Sequence, residues 1–275
     1  MRMAVVGLLC LFAGGCTGEY IVTVPDSAGV AGKVAPVVVR LQRREFAAFV
    51  PPTKDACITF NLKDAPLKCA RTDAKGYAAV AIDLPKTPGK YEMVLAYQDP
   101  KGDEAQGVAY LYVVSPERPV VVVDMDTLPT DTKSGQRLRD FTDQADIFYL
   151  TTKYSQDLTA AHRYLDIMGY PDAAVVGVSP PKWTMQGMPN SSRPSNVAYS
   201  TILATMKRTL PNLRYGMTSG AEMGKLFQQS GLDIMASGSA AGLGGAYQLN
   251  WNELRLPTTL PSESATSEPT TLPSE

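Results

Sequence analysis

The sequence predicts two folded domains, an antiparallel β-sandwich followed by an open α/β sheet. Between about residue 20 and residue 114, short runs of β-prone residues are separated by clusters of Pro, Gly and Asp, which is typical of an all-β domain. Beyond residue 119, continuous apolar strands alternate with helical patterns, which favours a parallel sheet. A length of 275 residues, with 44% hydrophobic and 19% charged residues, suits about two packed domains.

The N-terminal stretch MRMAVVGLLCLFAGGCTGEY has the features of an export signal. Arg2 supplies a positive charge, and the apolar run Ala4–Phe12 is too short to span a bilayer. The small residues Ala13–Gly15 precede Cys16, an arrangement that resembles a bacterial lipoprotein signal. The resemblance implies removal of residues 1–15, a lipid on Cys16 and membrane attachment, and Thr17 in place of aspartate favours the outer membrane, facing the periplasm. Ordinary secretion with cleavage nearby is the alternative.

Once the signal is removed and Cys16 carries its lipid, two cysteines remain, Cys57 and Cys69. An oxidising compartment makes a disulfide between them plausible. Two free, buried thiols are the alternative, and the sequence does not decide between these states.

The first domain, residues 16–115, contains five strand candidates and no helical period longer than one turn, so an antiparallel sandwich is expected. The candidates are APVVVRLQR (35–43), ACITFNL (56–62), GYAAVAIDL (76–84), KYEMVLAYQ (90–98) and GVAYLYVV (107–114). The run CARTDAKGYAAVAIDLPKTPGKYEMVLAY (69–97) resembles bacterial immunoglobulin-like modules, in which TDxxGxA marks a hairpin and PGxY opens a late strand. The resemblance implies a spacer or binding module.

The second domain, residues 116–255, follows the segment SPERP (115–119), whose prolines and charges predict a linker. Strands are predicted at 120–126, 145–152, 173–178 and 213–217, with helices at 155–171, 195–210 and 220–231. Their alternation predicts an open α/β sheet. The remaining residues, 256–275, contain the sequence PTTLPSE twice and consist mostly of Pro, Ser, Thr and Glu, so a disordered tail is expected.

Polar side chains follow the strands of this second domain. Asp124 and Asp126 come directly after VVVV, Thr151 ends the next strand, and Lys207 lies on the helix ahead of the fourth strand. In open α/β sheets ligands bind beyond the carboxyl ends of the strands, so these residues form the candidate site.

Their order, together with FYLTTKYSQDLTAAHRYLDIMGYP (148–171), resembles the haloacid dehalogenase (HAD) superfamily, and within it the lipin-like phosphatidate phosphatases, over residues 119–236. The resemblance implies a Rossmann-like domain and a Mg²⁺-dependent phosphatase. Asp124 would be the nucleophile that becomes an aspartyl phosphate, and Asp126 the general acid and base. Thr151 and Lys207 would hold the phosphate oxygens, and Mg²⁺ would offset the negative charge.

Two departures from the family pattern affect this site. The family motif is Asp-x-Asp-x-Thr, whereas the chain has Asp-Met-Asp-Thr-Leu, which places Thr127 one position early. In YGMTSGAEM (215–223), Thr218 and Ser219 stand where the family has an acidic metal ligand, and Glu222 is the only nearby acid. The expected metal ligands are therefore Asp124, Asp126 and Glu222.

Charge and histidine content narrow the functional classes. A net charge of −1 without a basic block gives no support for nucleic-acid binding. The one histidine, His162, excludes a histidine-rich metal site, and its place beside Ala161 predicts the boundary of an apolar helix face. Three functions remain: a lipid-anchored phosphatase acting on a membrane-proximal phosphoester or lipid head group, a catalytically silent HAD-like domain that binds a ligand or partner, and a structural envelope protein.

Overall fold

The computed structural model of the chain describes residues 19–45, 50–63, 65–154, 158–178 and 196–257. The predicted signal peptide, Cys16 and residues 258–275 of the predicted tail lie outside these ranges. Across the described ranges, no helix is long and apolar enough to cross a membrane.

The N-terminal part is a sandwich of two β-sheets. The three-stranded antiparallel sheet has the order β1-β3-β6, formed by β1 (Glu19–Thr23), β3 (Val34–Arg44) and β6 (Tyr77–Asp83). The five-stranded sheet has the order β2-β8-β7-β4-β5, formed by β2 (Ser27–Val30), β4 (Cys57–Leu62), β5 (Lys68–Arg71), β7 (Gly89–Gln98) and β8 (Glu104–Val114). The predicted β-sandwich is confirmed, although β2 pairs with β8 in parallel.

Alternation of side chains explains how the sandwich forms its core. Every second residue of β3 from Ala35 to Leu41 is fully buried, whereas Val34 and Val38 on the outer face are 59% and 37% exposed. Residues of β4, β7 and β8 from the opposite sheet complete the same hydrophobic cluster. Cys57 of β4 and Cys69 of the edge strand β5 are joined as a disulfide, with their Cα atoms 6.1 Å apart.

The C-terminal part is a six-stranded parallel sheet flanked by helices. Its strand order is β11-β10-β9-β12-β13-β14, with β9 (Val120–Asp124), β10 (Asp146–Tyr154), β11 (Val175–Val178), β12 (Leu213–Thr218), β13 (Asp233–Ala236) and β14 (Tyr247–Gln248). The helices are α1 (Thr132–Phe141), α2 (Leu158–Ile167), α3 (Asn196–Thr209) and α4 (Ala221–Gln229). The predicted parallel α/β sheet is confirmed at this level.

The central strand β9 explains the unbroken VVVV run. It pairs with β10 on one side and β12 on the other, and all five of its residues are buried. Its valines alternate between the hydrophobic clusters on the two faces of the sheet, since Val120 and Val122 belong to one and Val121 and Val123 to the other. A strand covered on both faces needs apolar residues at every position.

The sandwich and the α/β part share a hydrophobic cluster. Val30 of β2 and Val114 of β8 belong to the cluster that covers one face of β9. Asn212 donates its side-chain amide to the backbone carbonyls of Ser115 and Arg118, at 2.8 and 2.6 Å. The predicted linker is therefore held against the start of the parallel sheet.

A polar contact also joins the two parts. Asp26, between β1 and β2, accepts a hydrogen bond from the backbone N–H of Val175 in β11 at 2.8 Å. The same carboxylate oxygen lies 2.7 Å from Nε2 of His162 in α2. His162 lies at the boundary of its helix face, with 25% of its side chain exposed. Its partner from the other domain could not be inferred from local sequence, because Asp26 is 136 residues away.

Candidate functional site

Asp124 ends the central strand and begins a short 3₁₀ turn over Met125–Thr127. Its side chain closes this turn, because Oδ1 accepts a hydrogen bond from the N–H of Asp126 at 3.2 Å. Only 3% of the residue is exposed. The acid is thus at the carboxyl edge of the sheet, as expected, but beneath the surface.

The other oxygen of Asp124 faces two threonine hydroxyls. Thr127 donates to Oδ2 at 3.1 Å, and Thr218, at the end of β12, donates to it at 2.7 Å. Thr218 Oγ1 also accepts the N–H of Gly220 at 3.0 Å, which directs its own proton toward Asp124. Thr127 Oγ1 likewise accepts the N–H of Ser219, at 3.1 Å. These bonds join the ends of β9 and β12.

Asp126 makes a separate connection to β10. Its Oδ1 accepts the hydroxyl of Thr151 at 2.9 Å, and its Oδ2 accepts the N–H of Thr152 at 2.8 Å. Thr151 is fully buried. Both oxygens of this carboxylate therefore hold the end of β10 beside the 3₁₀ turn.

The surroundings of Asp124 raise the pKa of its carboxyl above the ordinary value. Burial raises the pKa of the carboxyl, and the neighbouring charge of Asp126 raises it further. Hydrogen bonds from Thr218, Thr127 and the Asp126 N–H stabilise the ionised form and lower the pKa, but the net effect is a pKa above the ordinary value.

This raised pKa predicts how stability depends on pH. Below the unfolded-state pKa, about 4, Asp124 is protonated in both states. Above it, the unfolded chain loses the proton first, so stability falls as the pH rises through the folded-state pKa. The side chain in Asp124→Asn does not titrate in this range, so the variant lacks this contribution. The unfolding free energy of wild type minus that of the variant should therefore fall as the pH rises toward neutral. Urea unfolding at several pH values measures the difference, and a constant or rising value would contradict the expectation.

The structure brings Asp124, Asp126 and Thr151 together, but it places Lys207 elsewhere. Lys207 lies in the last turn of α3, and its Nζ donates to the backbone carbonyls of Ser230 and Gly231 at 2.9 and 3.0 Å. Those carbonyls follow α4 and precede β13, at the amino edge of the sheet. A helix between parallel strands runs antiparallel to them, so its last turn returns to that edge. The structure therefore does not bring Lys207 to the candidate site with Asp124 and Asp126.

The three predicted metal ligands do not form one group, although Asp124 and Asp126 are neighbours. Glu222 is exposed in the first turn of α4. Within the described part of the chain, no group of three His, Cys, Asp or Glu side chains is placed to hold a metal ion. Mg²⁺ prefers carboxylate oxygens and waters, but Asp124 and Asp126 already accept five hydrogen bonds. The expected set Asp124, Asp126 and Glu222 therefore does not form a three-ligand Mg²⁺ site in this part of the chain.

Further hydroxyls line the carboxyl edge beyond β12. Ser219 Oγ lies 2.7 Å from Ser237 Oγ, just after β13. Ser239 donates to the backbone carbonyl of Ser219 and accepts the N–H of Ala221, both at 3.1 Å. Ser237 and Ser239 were missed because β13 was not predicted. The signal that could have located them is the short strand-like run Ile234–Ala236, followed directly by two serines in the sequence SGS (237–239).

A wide cleft lies away from this edge, between the sandwich and α2. It has a volume of about 1320 Å³, and Asp26, Tyr110, His162 and Arg163 are among its lining residues, whereas Asp124 is not. Its charged groups are largely paired with one another, as in the 2.7 Å contact between Lys90 Nζ and Asp172. It does not extend the site at the sheet edge.

No family model matches the chain, and no curated protein matches it. Three solved structures give the scale of the structural likeness. A purple acid phosphatase from yellow lupin has 8% identity and a TM-score of 0.34, over 80% of this chain and 58% of that enzyme. A carbohydrate acetylesterase from Xanthomonas citri has 12% identity and a TM-score of 0.31, over 83% and 71%. A CARDB domain from Pyrococcus furiosus has 11% identity and a TM-score of 0.22, over 35% and 87%.

These scores are too low to support an argument about the fold or function of this chain. The chain spans less than three fifths of the length of the lupin phosphatase. What can be said of the site therefore comes from its own geometry, a parallel-sheet edge where two aspartates are held by hydroxyl and amide groups.

Proposed function

We propose that this chain is a lipid-anchored envelope protein whose α/β domain is HAD-like but does not hydrolyse phosphoesters. Cys16 would carry the lipid at the outer membrane, facing the periplasm. The sandwich would be an immunoglobulin-like spacer, and the α/β domain a ligand-binding or structural module. A parallel sheet with Asp124 at the carboxyl end of its central strand supports the HAD-like assignment.

The observation that carries this proposal is the state of the Asp124 carboxylate. A nucleophilic carboxylate must present an oxygen to phosphorus from an accessible position. Asp124 is 3% exposed, and its two oxygens accept hydrogen bonds from Asp126, Thr127 and Thr218. Attack on a phosphoester would require the oxygen to leave these donors.

The partners that the chemistry needs also have other roles. Asp126, the expected acid and base, holds Thr151 and the Thr152 N–H with its two oxygens. Lys207, the expected cation for the phosphate, binds carbonyls at the opposite edge of the sheet. Stabilisation of developing negative charge is usually the largest contribution to such catalysis, so its loss favours a silent domain.

A hydrolysis assay tests the proposal. The purified protein is expected to hydrolyse p-nitrophenyl phosphate no faster than buffer, with or without Mg²⁺ or Mn²⁺, and Asp124→Asn should leave this background unchanged. Unfolding curves for both proteins establish that they are folded. Metal-dependent turnover that disappears in Asp124→Asn would instead support the phosphatase.

Binding measurements then separate the two silent functions. Calorimetry with inorganic phosphate and with beryllofluoride tests the ligand-binding role, and saturable binding that Asp124→Asn weakens would support it. Without such binding, a structural role for the α/β domain is favoured.

A further inference from the structure

Thr218 supplies the shortest hydrogen bond to the Asp124 carboxylate. Thr218 is 1% exposed, and its hydroxyl lies 2.7 Å from Asp124 Oδ2. A Cβ built on Gly224 of α4 would lie 3.7 Å from the Thr218 methyl group, so that methyl group rests beside the helix. Packing of the methyl group and the hydrogen bond from the Gly220 N–H together fix the direction of the hydroxyl proton.

In the described part of the chain, the charge of the two aspartates is met without an ion pair. Among the described residues, none of the ion pairs involves Asp124 or Asp126. The negative charge at this edge is instead met by three neutral donors to Asp124 and two to Asp126. Charge-assisted bonds of this kind are the stronger hydrogen bonds in proteins.

We infer that the Thr218 hydroxyl takes the place of a divalent cation beside Asp124, so that the native domain folds and holds its carboxyl edge without metal. This inference rests on the proposed function, since a working phosphatase of this type would need the cation. Thr218 is then a positioning residue. The residue type at position 218 determines whether a hydroxyl or a metal ion stabilises the Asp124 carboxylate.

If the Thr218 hydroxyl replaces the cation, then exchanging it for a carboxylate should make the domain depend on metal. Thr218→Asp would place a second acid next to Asp124 Oδ2 and remove the hydroxyl donor. Two close carboxylates repel each other in a buried site, and a divalent cation relieves that repulsion while gaining two oxygen ligands. Metal binding would then become coupled to folding.

The experiment compares Thr218→Asp with wild type by thermal unfolding in EDTA, Mg²⁺ and Mn²⁺, and by Mn²⁺ titration. We expect the wild-type midpoint to be the same in all three media. Thr218→Asp should unfold at a lower temperature in EDTA, recover on addition of metal, and bind Mn²⁺ at least about tenfold more tightly than wild type.

Two matched variants distinguish the effect of position 218 from the effect of an added negative charge. Ser219→Asp adds the same charge one residue later, where the native side chain faces Ser237, and should gain no metal affinity. Thr218→Asn keeps a donor toward Asp124 without adding charge, and its unfolding should remain metal-independent.

The wild-type titration remains decisive even if Thr218→Asp does not fold. Stoichiometric Mn²⁺ binding by wild type that Asp124→Asn abolishes would overturn the inference, as would equal affinities in Thr218→Asp and Ser219→Asp. Native metal binding without hydrolysis would overturn this inference and leave the proposed function standing. Hydrolysis by a protein that binds no metal would overturn the proposed function and leave the metal-free folding of the domain standing.

Discussion

Gly135→Ala is expected to destabilise the protein by about 3 kcal/mol or to prevent folding. Gly135 lies in α1, where alanine would ordinarily favour the helix by about 1 kcal/mol. A Cβ at this position would overlap the carbonyl oxygen of Met168 and lie 2.9 Å from the carbonyl carbon of Gly169. Both obstacles are backbone atoms, so relief requires α1 to move away from the segment that follows α2. Urea unfolding measures the loss.

Gly224→Ala is the matched control for this prediction. Gly224 also lies in a helix, α4, but the nearest atom to its added Cβ is Leu243 Cδ1, the end of a flexible side chain. Rotation of Leu243 can relieve that contact, so we expect a change within about 1 kcal/mol. Equal losses in the two variants would show that backbone proximity at Gly135 is not the cause.

Asp26→Ala is expected to reduce the unfolding free energy by about 3 kcal/mol. The Asp26 side chain is 7% exposed and accepts hydrogen bonds from the Val175 N–H and from His162. Its removal leaves the Val175 N–H without this acceptor at the edge strand β11 and breaks a link between the sandwich and the α/β part. Urea unfolding gives the loss, and hydrogen exchange at Val175 should become faster.

Asp83→Ala provides the comparison for an acid in an exposed ion pair. Asp83 pairs with Lys68 at 3.2 Å, but its side chain is 79% exposed. Surface ion pairs contribute about 0–1 kcal/mol, so this variant should lose little stability. A loss as large as that of Asp26→Ala would argue against the interdomain contact as the source of the effect.

The architecture was predictable wherever hydrophobic periodicity extended over enough residues. The alternation in β3 and the unbroken VVVV run of β9 each report directly which faces are covered. The four-residue strands β2, β5 and β13 are too short to show a period. Helix α1 was missed because two of its four buried residues are Ser134 and Gly135, which carry no hydrophobic signal.

The candidate site was predictable only in part, for a related reason. Asp124, Asp126 and Thr151 were found because residues that end adjacent parallel strands must meet at one edge. Lys207 and Glu222 lie on helices, where the direction of a side chain depends on packing rather than on strand order. Thr218 at the end of the fourth predicted strand was visible in the sequence, but its hydrogen bond to Asp124 was not.

The sequence by itself determined the two fold types, the strands with clear hydrophobic patterns and the position of two aspartates at the end of a buried strand, because these follow from local periodicity and strand direction. The tertiary structure decided how deeply Asp124 is buried and which groups hold both aspartates. Accessibility and protonation depend on groups distant in the chain, and for Asp124 the decisive partner, Thr218, is 94 residues away. Only the folded sheet brings that hydroxyl to the carboxylate, and the same contact accounts for the buried, hydrogen-bonded state of the acid.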